Sequence, residues 1–176
     1  MILVDTCILS SLAKIDRLGL LDILFNKHFC YITPSILKEL DINKVAGFGF
    51  IDKIEEMVSF NEAKNKLCIL ATGTKELELA YRLSDKYKLS VTDCECIVIA
   101  KLKKAILLTD DSYLAKIAKK EGVERIFDLK SLIEACIIEG GIKQKSELNG
   151  IIESLRQKDN YVFSDSNLKQ LFSHFP

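Results

Sequence analysis

The sequence has no excess of charge of either sign. Its 176 residues include 25 Lys and Arg and 25 Asp and Glu side chains, so the formal net charge at pH 7 is zero. This excludes a strongly basic surface that would attract nucleic acid or a membrane over long distances. Any polyanion that binds this chain must be attracted by a local group of side chains, a metal ion or a partner.

Long apolar runs are also missing. No run approaches the roughly 20 apolar residues that a membrane-spanning helix needs, which argues against a membrane protein. The first 14 residues, MILVDTCILSSLAK, are apolar but have no basic start and carry Asp5 in their middle. We therefore expect no signal peptide.

The six cysteines lack the paired spacing of a disulfide framework or a zinc site. No second pair or nearby His completes a metal site around Cys94 and Cys96. We expect all six to be reduced core residues of a cytoplasmic protein. No glycine fingerprint follows the first apolar run, which argues against a dinucleotide-binding enzyme.

What the sequence does contain is an alternation of short apolar runs with stretches of helical periodicity. The predicted strands are MILV (1–4), FCYIT (29–33), LCILA (67–71), AILLT (105–109) and ERIFDL (124–129). Thr33 and Pro34 are typical of a helix start, residues 51–60 are predicted to be helical, and Thr92 with Glu95 matches a capping box. This order predicts an α/β fold in which a parallel sheet has helices on both faces.

The chain divides into two predicted parts. Residues 1–140 hold the alternating pattern and are expected to form one domain. Residues 141–176 are predicted to be a C-terminal helical extension, in which KSELNGIIESLRQKD and DSNLKQLFSHF form helices. The last helix has apolar residues at helical spacing, so the extension is expected to pack on the domain or on a partner.

Acidic residues follow two of the predicted strands. Asp5 comes directly after the first strand, and the adjacent Asp110 and Asp111 come after a later one. Because the carboxyl ends of parallel strands meet at one edge of a sheet, these residues are expected to share that edge. Glu39 lies on the helix that follows the second strand, and Asp93 opens another helix, so both are expected to join them.

Each acid also has a purely structural explanation. A negative charge in the first turn of a helix is favoured by up to ~1 kcal/mol, which would account for Asp93, Asp110 and Asp111. Glu95 would complete the capping box, and Glu39 would face solvent. These explanations predict scattered carboxylates, whereas the functional one predicts a cluster. A cluster stays ionised only beside a cation, and hard oxygen ligands suit Mg²⁺ or Mn²⁺.

Four segments occur in an order and spacing that resemble the PIN-domain ribonucleases, including the VapC-like toxins of toxin–antitoxin pairs. They are ILVDTCIL, TPSILKEL, VTDCECIVIA and LLTDD. The C-terminal YVFSDSNLKQLF is similar to the end of a PIN-like subfamily of largely unassigned function. The resemblance covers nearly the whole chain and implies a PIN-like three-layer α/β fold, with a parallel sheet of four or five strands between helices. It also implies metal-dependent cleavage of RNA.

The resemblance also implies roles for individual residues. The metal ligands would be Asp5, Asp93 and Asp111, and the catalytic group would add Glu39 and Asp110. Thr6, Glu95 and Thr109 would support them. Cys7 stands where the family more often has Ser or Asn, and the RNA-binding residues are not identified.

The predicted function is therefore a Mg²⁺- or Mn²⁺-dependent endoribonuclease, with RNA as substrate, and possible membership of a toxin–antitoxin pair. The resemblance to toxins suggests a homodimer and an antitoxin as partners, with no membrane contact. The alternative is a catalytically silent PIN-like module that binds nucleic acid or protein. A phosphotransfer enzyme of the haloacid-dehalogenase type fits worse, because it needs a second Asp where this chain has Cys7.

Overall fold

A single parallel sheet with helices on both faces organises the chain in a computed structural model that describes residues 1–63 and 65–175. The strands in these ranges are β1 Ile2–Val4, β2 Cys30–Ile32, β3 Val58–Ser59, β4 Leu67–Ile69, β5 Ile106–Leu108 and β6 Arg125–Phe127. They are arranged in the order β3-β4-β2-β1-β5-β6, and every pairing is parallel. The predicted α/β fold is confirmed.

Helices connect most successive strands of this parallel sheet, although none is described between β3 and β4, and three helices follow β6. The helices are α1 Thr6–Lys14, α2 Asp22–Phe25, α3 Pro34–Val45, α4 Ile51–Glu55, α5 Thr74–Tyr87, α6 Val91–Leu102, α7 Ser112–Lys120, α8 Leu129–Ile138, α9 Lys145–Asp159 and α10 Asp165–Ser173. A short 3₁₀ helix, Leu18–Leu21, precedes α2. The inner strands β1 and β2 are buried at every residue, which explains their continuous apolar sequence.

The sheet has one more strand than the largest number predicted. Residues 51–60 were predicted to be helical, but the helix α4 ends at Glu55 and the chain then extends into the two-residue β3. Val58 pairs with Leu67 at the edge of the sheet. The β-branched Val58 suits an extended edge position, and tertiary pairing with β4 outweighs the local helical pattern.

Two predicted helix starts have different outcomes. Thr33 caps α3 as expected, because its hydroxyl accepts a hydrogen bond from the Ile36 N–H at 3.2 Å. The predicted capping box at Thr92 and Glu95 is wrong, because α6 begins earlier and Ser90 is its N-cap. The Ser90 hydroxyl accepts the Asp93 N–H at 2.9 Å, which leaves Glu95 inside the helix.

Helices α9 and α10 lie against the rest of the chain. Their buried residues belong to the same apolar core as the sheet; they are Leu148, Ile151, Leu155 and Leu171. The Asp159 carboxylate at the end of α9 accepts hydrogen bonds from Ser11 Oγ at 2.5 Å and Lys14 Nζ at 2.6 Å. The division at residue 140 stays a prediction, and the last residue of the predicted extension, Pro176, lies outside the described ranges.

The cysteines behave as buried core residues. All six are free, and five are buried, while Cys7 is partly exposed. Burial raises the pKa of the Cys30 thiol to about 12 and that of Cys94 to about 11, so both are neutral at pH 7. Among the helices described here, none is long and apolar enough to cross a membrane.

The shared core gives a prediction for the C-terminal helices. Leu155 is fully buried, so Leu155→Ala should lower the free energy of unfolding by roughly 2–5 kcal/mol through the cavity it leaves. Urea denaturation followed by circular dichroism should show one transition that moves as a whole. In Val162→Ala, where Val162 is 74% exposed, the change should stay within about 0.5 kcal/mol. Two transitions, of which only one moves, would contradict a common core.

Candidate functional site

The site lies where the strand order reverses. From β1 the chain moves to β2 on one side and later to β5 on the other, so the carboxyl ends of β1 and β5 flank a switch point. Crevices at such points are the usual ligand sites of open parallel sheets. Asp5 follows β1, and the loop 109–111 follows β5. The register aligns Val4 with Leu108, so the two segments leave the sheet side by side.

Asp5 is held tightly at this point. Its side chain is only 5% exposed and caps the N-terminus of α1, where Oδ1 accepts the Thr6 N–H at 2.7 Å. Oδ2 accepts hydrogen bonds from the Thr109 hydroxyl at 2.7 Å and the Cys7 thiol at 3.0 Å. These three donors orient the carboxylate and make its burial tolerable.

The loop 109–111 is anchored to the same group. The Asp111 N–H donates to the Thr109 hydroxyl oxygen at 3.2 Å, and the Asp110 N–H contacts Cys7 Sγ at 3.2 Å. Asp111 caps α7, because its Oδ1 accepts the N–H groups of Tyr113 and Leu114, both at 2.8 Å. The two caps therefore direct both α1 and α7 away from one edge.

The electrostatics bring Glu39 and Asp93 into the same group. Burial raises the pKa of the Glu39 carboxyl, and the negative charges of Asp5 and Asp93 raise it further. Burial likewise raises the pKa of Asp93, while its Ser90 cap lowers it and the charges of Asp5 and Asp111 raise it. Because Asp5 acts on both Glu39 and Asp93, and Asp111 acts on Asp93, the four carboxylates lie in one region.

Asp110 is directed elsewhere. Its Oδ1 accepts the N–H of Leu129 at the start of α8 at 3.1 Å and the hydroxyl of Tyr161 at 3.3 Å. Burial raises the pKa of Asp110, and the acids that raise it further are Asp128 and Asp159. Of the predicted catalytic residues, Asp110 is the one that the structure does not bring together with the others.

Two predicted supporting residues are buried with unsatisfied oxygens. Glu95 is 0% exposed, and neither of its carboxylate oxygens has a hydrogen-bond partner among the described residues. A step of two residues along an α-helix turns the side-chain direction by about 200° around the helix axis. Glu95 therefore lies on a different side of α6 from Asp93. The Thr6 hydroxyl lies near Glu39 and lowers its pKa, yet it completes no hydrogen bond of normal geometry in the described ranges.

The donor set fits a hard divalent cation in its chemistry. Four carboxylates and an unsatisfied hydroxyl provide only oxygen, and a cation would relieve the repulsion that raises the pKa values of Glu39 and Asp93. Within residues 1–63 and 65–175, no three His, Cys, Asp or Glu side chains are already arranged to hold an ion. Binding would therefore require some of these carboxylates to rotate toward one another.

Three contributors to this region were given no role by the sequence reasoning. Cys7 donates to Asp5, Tyr161 donates to Asp110, and Ser90 caps the helix that carries Asp93. The contact of Cys7 with Asp5 could have been predicted from the sequence, because Cys7 lies only two residues after Asp5. The place of Tyr161 was not, because 51 residues separate it from Asp110.

Comparisons with known proteins agree with this architecture. A family model described as DUF3368, a PIN domain, matches residues 1–175. The crystal structure of PAE2754 from Pyrobaculum aerophilum is similar over 77% of this chain and 88% of its own, with a TM-score of 0.53 and 17% sequence identity. That likeness concerns the fold alone. No protein of curated function matches the chain.

The raised pKa of Glu39 predicts that removing its charge will stabilise the folded protein at neutral pH. The pKa of Glu39 is raised in the folded state, so the folded protein loses stability as pH rises from the unfolded pKa, near 4.3, through the folded one. Glu39→Gln should therefore raise the melting temperature of the metal-free protein at pH 7, by about 2–4 °C for each kcal/mol of repulsion removed.

The same substitution should change little below about pH 4, where the carboxyl is protonated in both folded and unfolded chains. Differential scanning calorimetry in a chelating buffer at both pH values measures the effect. An equal or lower melting temperature for Glu39→Gln at pH 7 would contradict the repulsion.

Proposed function

The chain belongs to the PIN-domain family, whose members are generally nucleases, and we propose that it is a Mg²⁺-dependent endoribonuclease that hydrolyses phosphodiester bonds in RNA. The observation that carries the proposal is the grouping of Asp5, Glu39, Asp93 and Asp111 at the switch point, where the negative charges of neighbouring acids raise the pKa values of Glu39 and Asp93. PIN domains typically use divalent metals, and the oxygen-only donor set suits Mg²⁺ or Mn²⁺.

In this proposal Asp5, Asp93 and Asp111 hold the ion. When bound, the ion supplies positive charge beside the scissile phosphate and lowers the pKa of a water molecule at the site. The hydrogen bonds from Thr6, Thr109 and Cys7 fix the Asp5 carboxylate for this role, and Oδ1, which accepts only from Thr6, retains a free lone pair. Its orientation is thus set before any ligand arrives.

Glu39 would orient the attacking water and accept its proton. Burial and the neighbouring charges raise the pKa of Glu39, which makes its carboxylate a stronger base than a solvated one. The unsatisfied Thr6 hydroxyl beside it can hydrogen-bond to the same carboxylate or to the water. These groups supply proton transfer next to the scissile bond.

A groove beside the cluster is suited to the RNA strand. It is lined by residues of α7, the end of β6 and the start of α8, has a volume of ≈ 470 Å³, and includes Thr109. Its lining contains Lys116 and Lys119 of α7, the exposed Phe127 at the end of β6, and one acid, Asp128. Two cations and an aromatic ring are the groups that bind phosphates and bases of single strands, and they act locally in a chain without net charge.

The proposal extends to partners and cellular role. In it the chain forms a homodimer in the cytoplasm and is the toxin of a toxin–antitoxin pair, neutralised by an antitoxin. A reading frame directly upstream that encodes a short acidic or DNA-binding protein would support this role. Light scattering on the purified protein measures the oligomeric state.

The activity test compares variants of the cluster. With mixed RNA and Mg²⁺ or Mn²⁺, Asp5→Asn and Asp93→Asn should each lose at least roughly 100-fold of the cleavage rate, the scale of removing a catalytic group. Asp85→Asn, an exposed carboxylate on α5, is the matched control and should cleave like the wild type. A chelator should abolish cleavage by all active forms.

Equal cleavage rates for the wild type and both cluster variants would contradict this mechanism. Absence of cleavage by the wild type, repeated with single-stranded and structured RNAs, would favour the alternative of a catalytically silent binding module. Circular dichroism of each variant confirms that it is folded.

The groove predicts a separate effect on RNA affinity. Replacing Lys116 and Lys119 together by Ala should weaken binding of a short single-stranded RNA and reduce the slope of log affinity against log salt by about 1.4, because two phosphate contacts are lost. Fluorescence anisotropy between 50 and 200 mM salt, as rough limits, measures this slope. The control replaces the exposed Lys75 and Lys169, which lie on α5 and α10. An equal loss in the control would contradict the assignment of the groove.

A further inference from the structure

The end of α9 and the residues that follow it contact two of the four segments that carry the acidic cluster. Asp159 binds Ser11 and Lys14 of α1, the helix that begins directly after Asp5. Two residues later, the Tyr161 hydroxyl donates to Asp110, the neighbour of Asp111. We call residues 159–161 the brace.

A continuous set of contacts runs from the brace to Asp5. The Tyr161 hydroxyl and the Leu129 N–H both donate to Asp110 Oδ1, at 3.3 and 3.1 Å. The Asp110 N–H contacts Cys7 Sγ at 3.2 Å, and the Cys7 thiol donates to Asp5 Oδ2 at 3.0 Å. Asp110 is thus held from both sides, by its carboxylate and by its amide.

The Tyr161 hydroxyl is itself held in place. Asn160 ends α9 in a left-handed conformation with φ of 54°, and the Tyr161 N–H then donates to the Leu155 carbonyl at 3.1 Å. The Tyr161 ring packs edge-on against Phe163 at a centroid distance of 4.8 Å, and Phe163 is 5% exposed. The hydroxyl therefore reaches Asp110 from a position that the core determines.

We propose that the brace sets the spacing between Asp5 and Asp111, so that Tyr161 is a positioning residue for the divalent cation. The inference rests on the proposed function, because it assumes that these two acids are ligands. Asp110 acts in it through hydrogen bonds that fix the loop 109–111. Partners that orient metal ligands typically contribute 10- to 100-fold to metal affinity.

The test measures Mn²⁺ affinity without RNA, by titration calorimetry and by the electron paramagnetic resonance signal of free Mn²⁺. Tyr161→Phe removes one hydroxyl and keeps the ring, so it should weaken Mn²⁺ binding about 10-fold while the metal-free melting temperature stays within about 2 °C. The matched control is Tyr81→Phe, because Tyr81 is 59% exposed on α5. Its affinity should equal that of the wild type.

A second pair of variants separates a positioning role from a ligand role. Asp110→Asn keeps an oxygen that can accept from Leu129 and Tyr161, so it should weaken Mn²⁺ binding no more than Tyr161→Phe does. Asp111→Asn removes a proposed ligand and should weaken it much further. This pair carries the test if Tyr161→Phe proves poorly folded. If Asp110→Asn weakens Mn²⁺ binding as much as Asp111→Asn does, the brace proposal is overturned, because Asp110 would then itself be a ligand.

The remaining outcomes distinguish the two proposals. Failure of the wild type to bind Mn²⁺ would contradict the metal site and the function built on it. Normal binding by the wild type together with equally tight binding by Tyr161→Phe would overturn the brace alone. Weaker binding by Tyr161→Phe with wild-type binding by Tyr81→Phe supports it.

Discussion

Repulsion among carboxylates at the carboxyl ends of β1 and β5 is the constraint on which the rest of this structure depends. Glu39 and Asp93 are partly buried, and burial together with the negative charges of the neighbouring acids in the group raises their pKa values. A fold selected for stability alone would separate such groups or replace them with amides. The protein instead surrounds Asp5 with three hydrogen-bond donors, which orient its carboxylate.

The cluster is a consequence of the strand order. Asp5, Glu39 and Asp111 lie in segments that follow β1, β2 and β5, whose carboxyl ends share one edge because every strand of the sheet runs in the same direction. Asp93 follows no strand directly, and it joins the other acids at the start of α6, which comes after α5. Two of the acids, Asp5 and Asp111, are also helix N-caps, so the interactions that begin α1 and α7 fix those side chains at the switch point. Local capping and the arrangement of the site are therefore the same interactions.

The C-terminal helices belong to this arrangement as well. Their apolar residues complete the core, and the segment between them contacts α1 through Asp159 and the loop 109–111 through Tyr161. The contacts of Asp110 explain why two adjacent aspartates are found together. Asp111 faces the cluster, whereas Asp110 connects the loop to α8 and to Tyr161. The two aspartates therefore connect the site, through Asp111, with α8 and the segment after α9, through Asp110.

The sequence by itself determined the alternation of strands and helices, the Thr33 cap and the common edge for acids that follow strands, because burial and capping depend on neighbours along the chain. It misassigned the start of α6, since Ser90 competes with Thr92 for the same backbone donors and only the folded helix shows which one wins. Only the tertiary structure decided that Asp110 and Asp111 have different partners, that Glu95 is buried with no hydrogen-bond partner among residues 1–63 and 65–175, and that Val58 extends the sheet. Each of those outcomes depends on residues distant in sequence, such as Tyr161 for Asp110 and Leu67 for Val58, and no local pattern records such contacts.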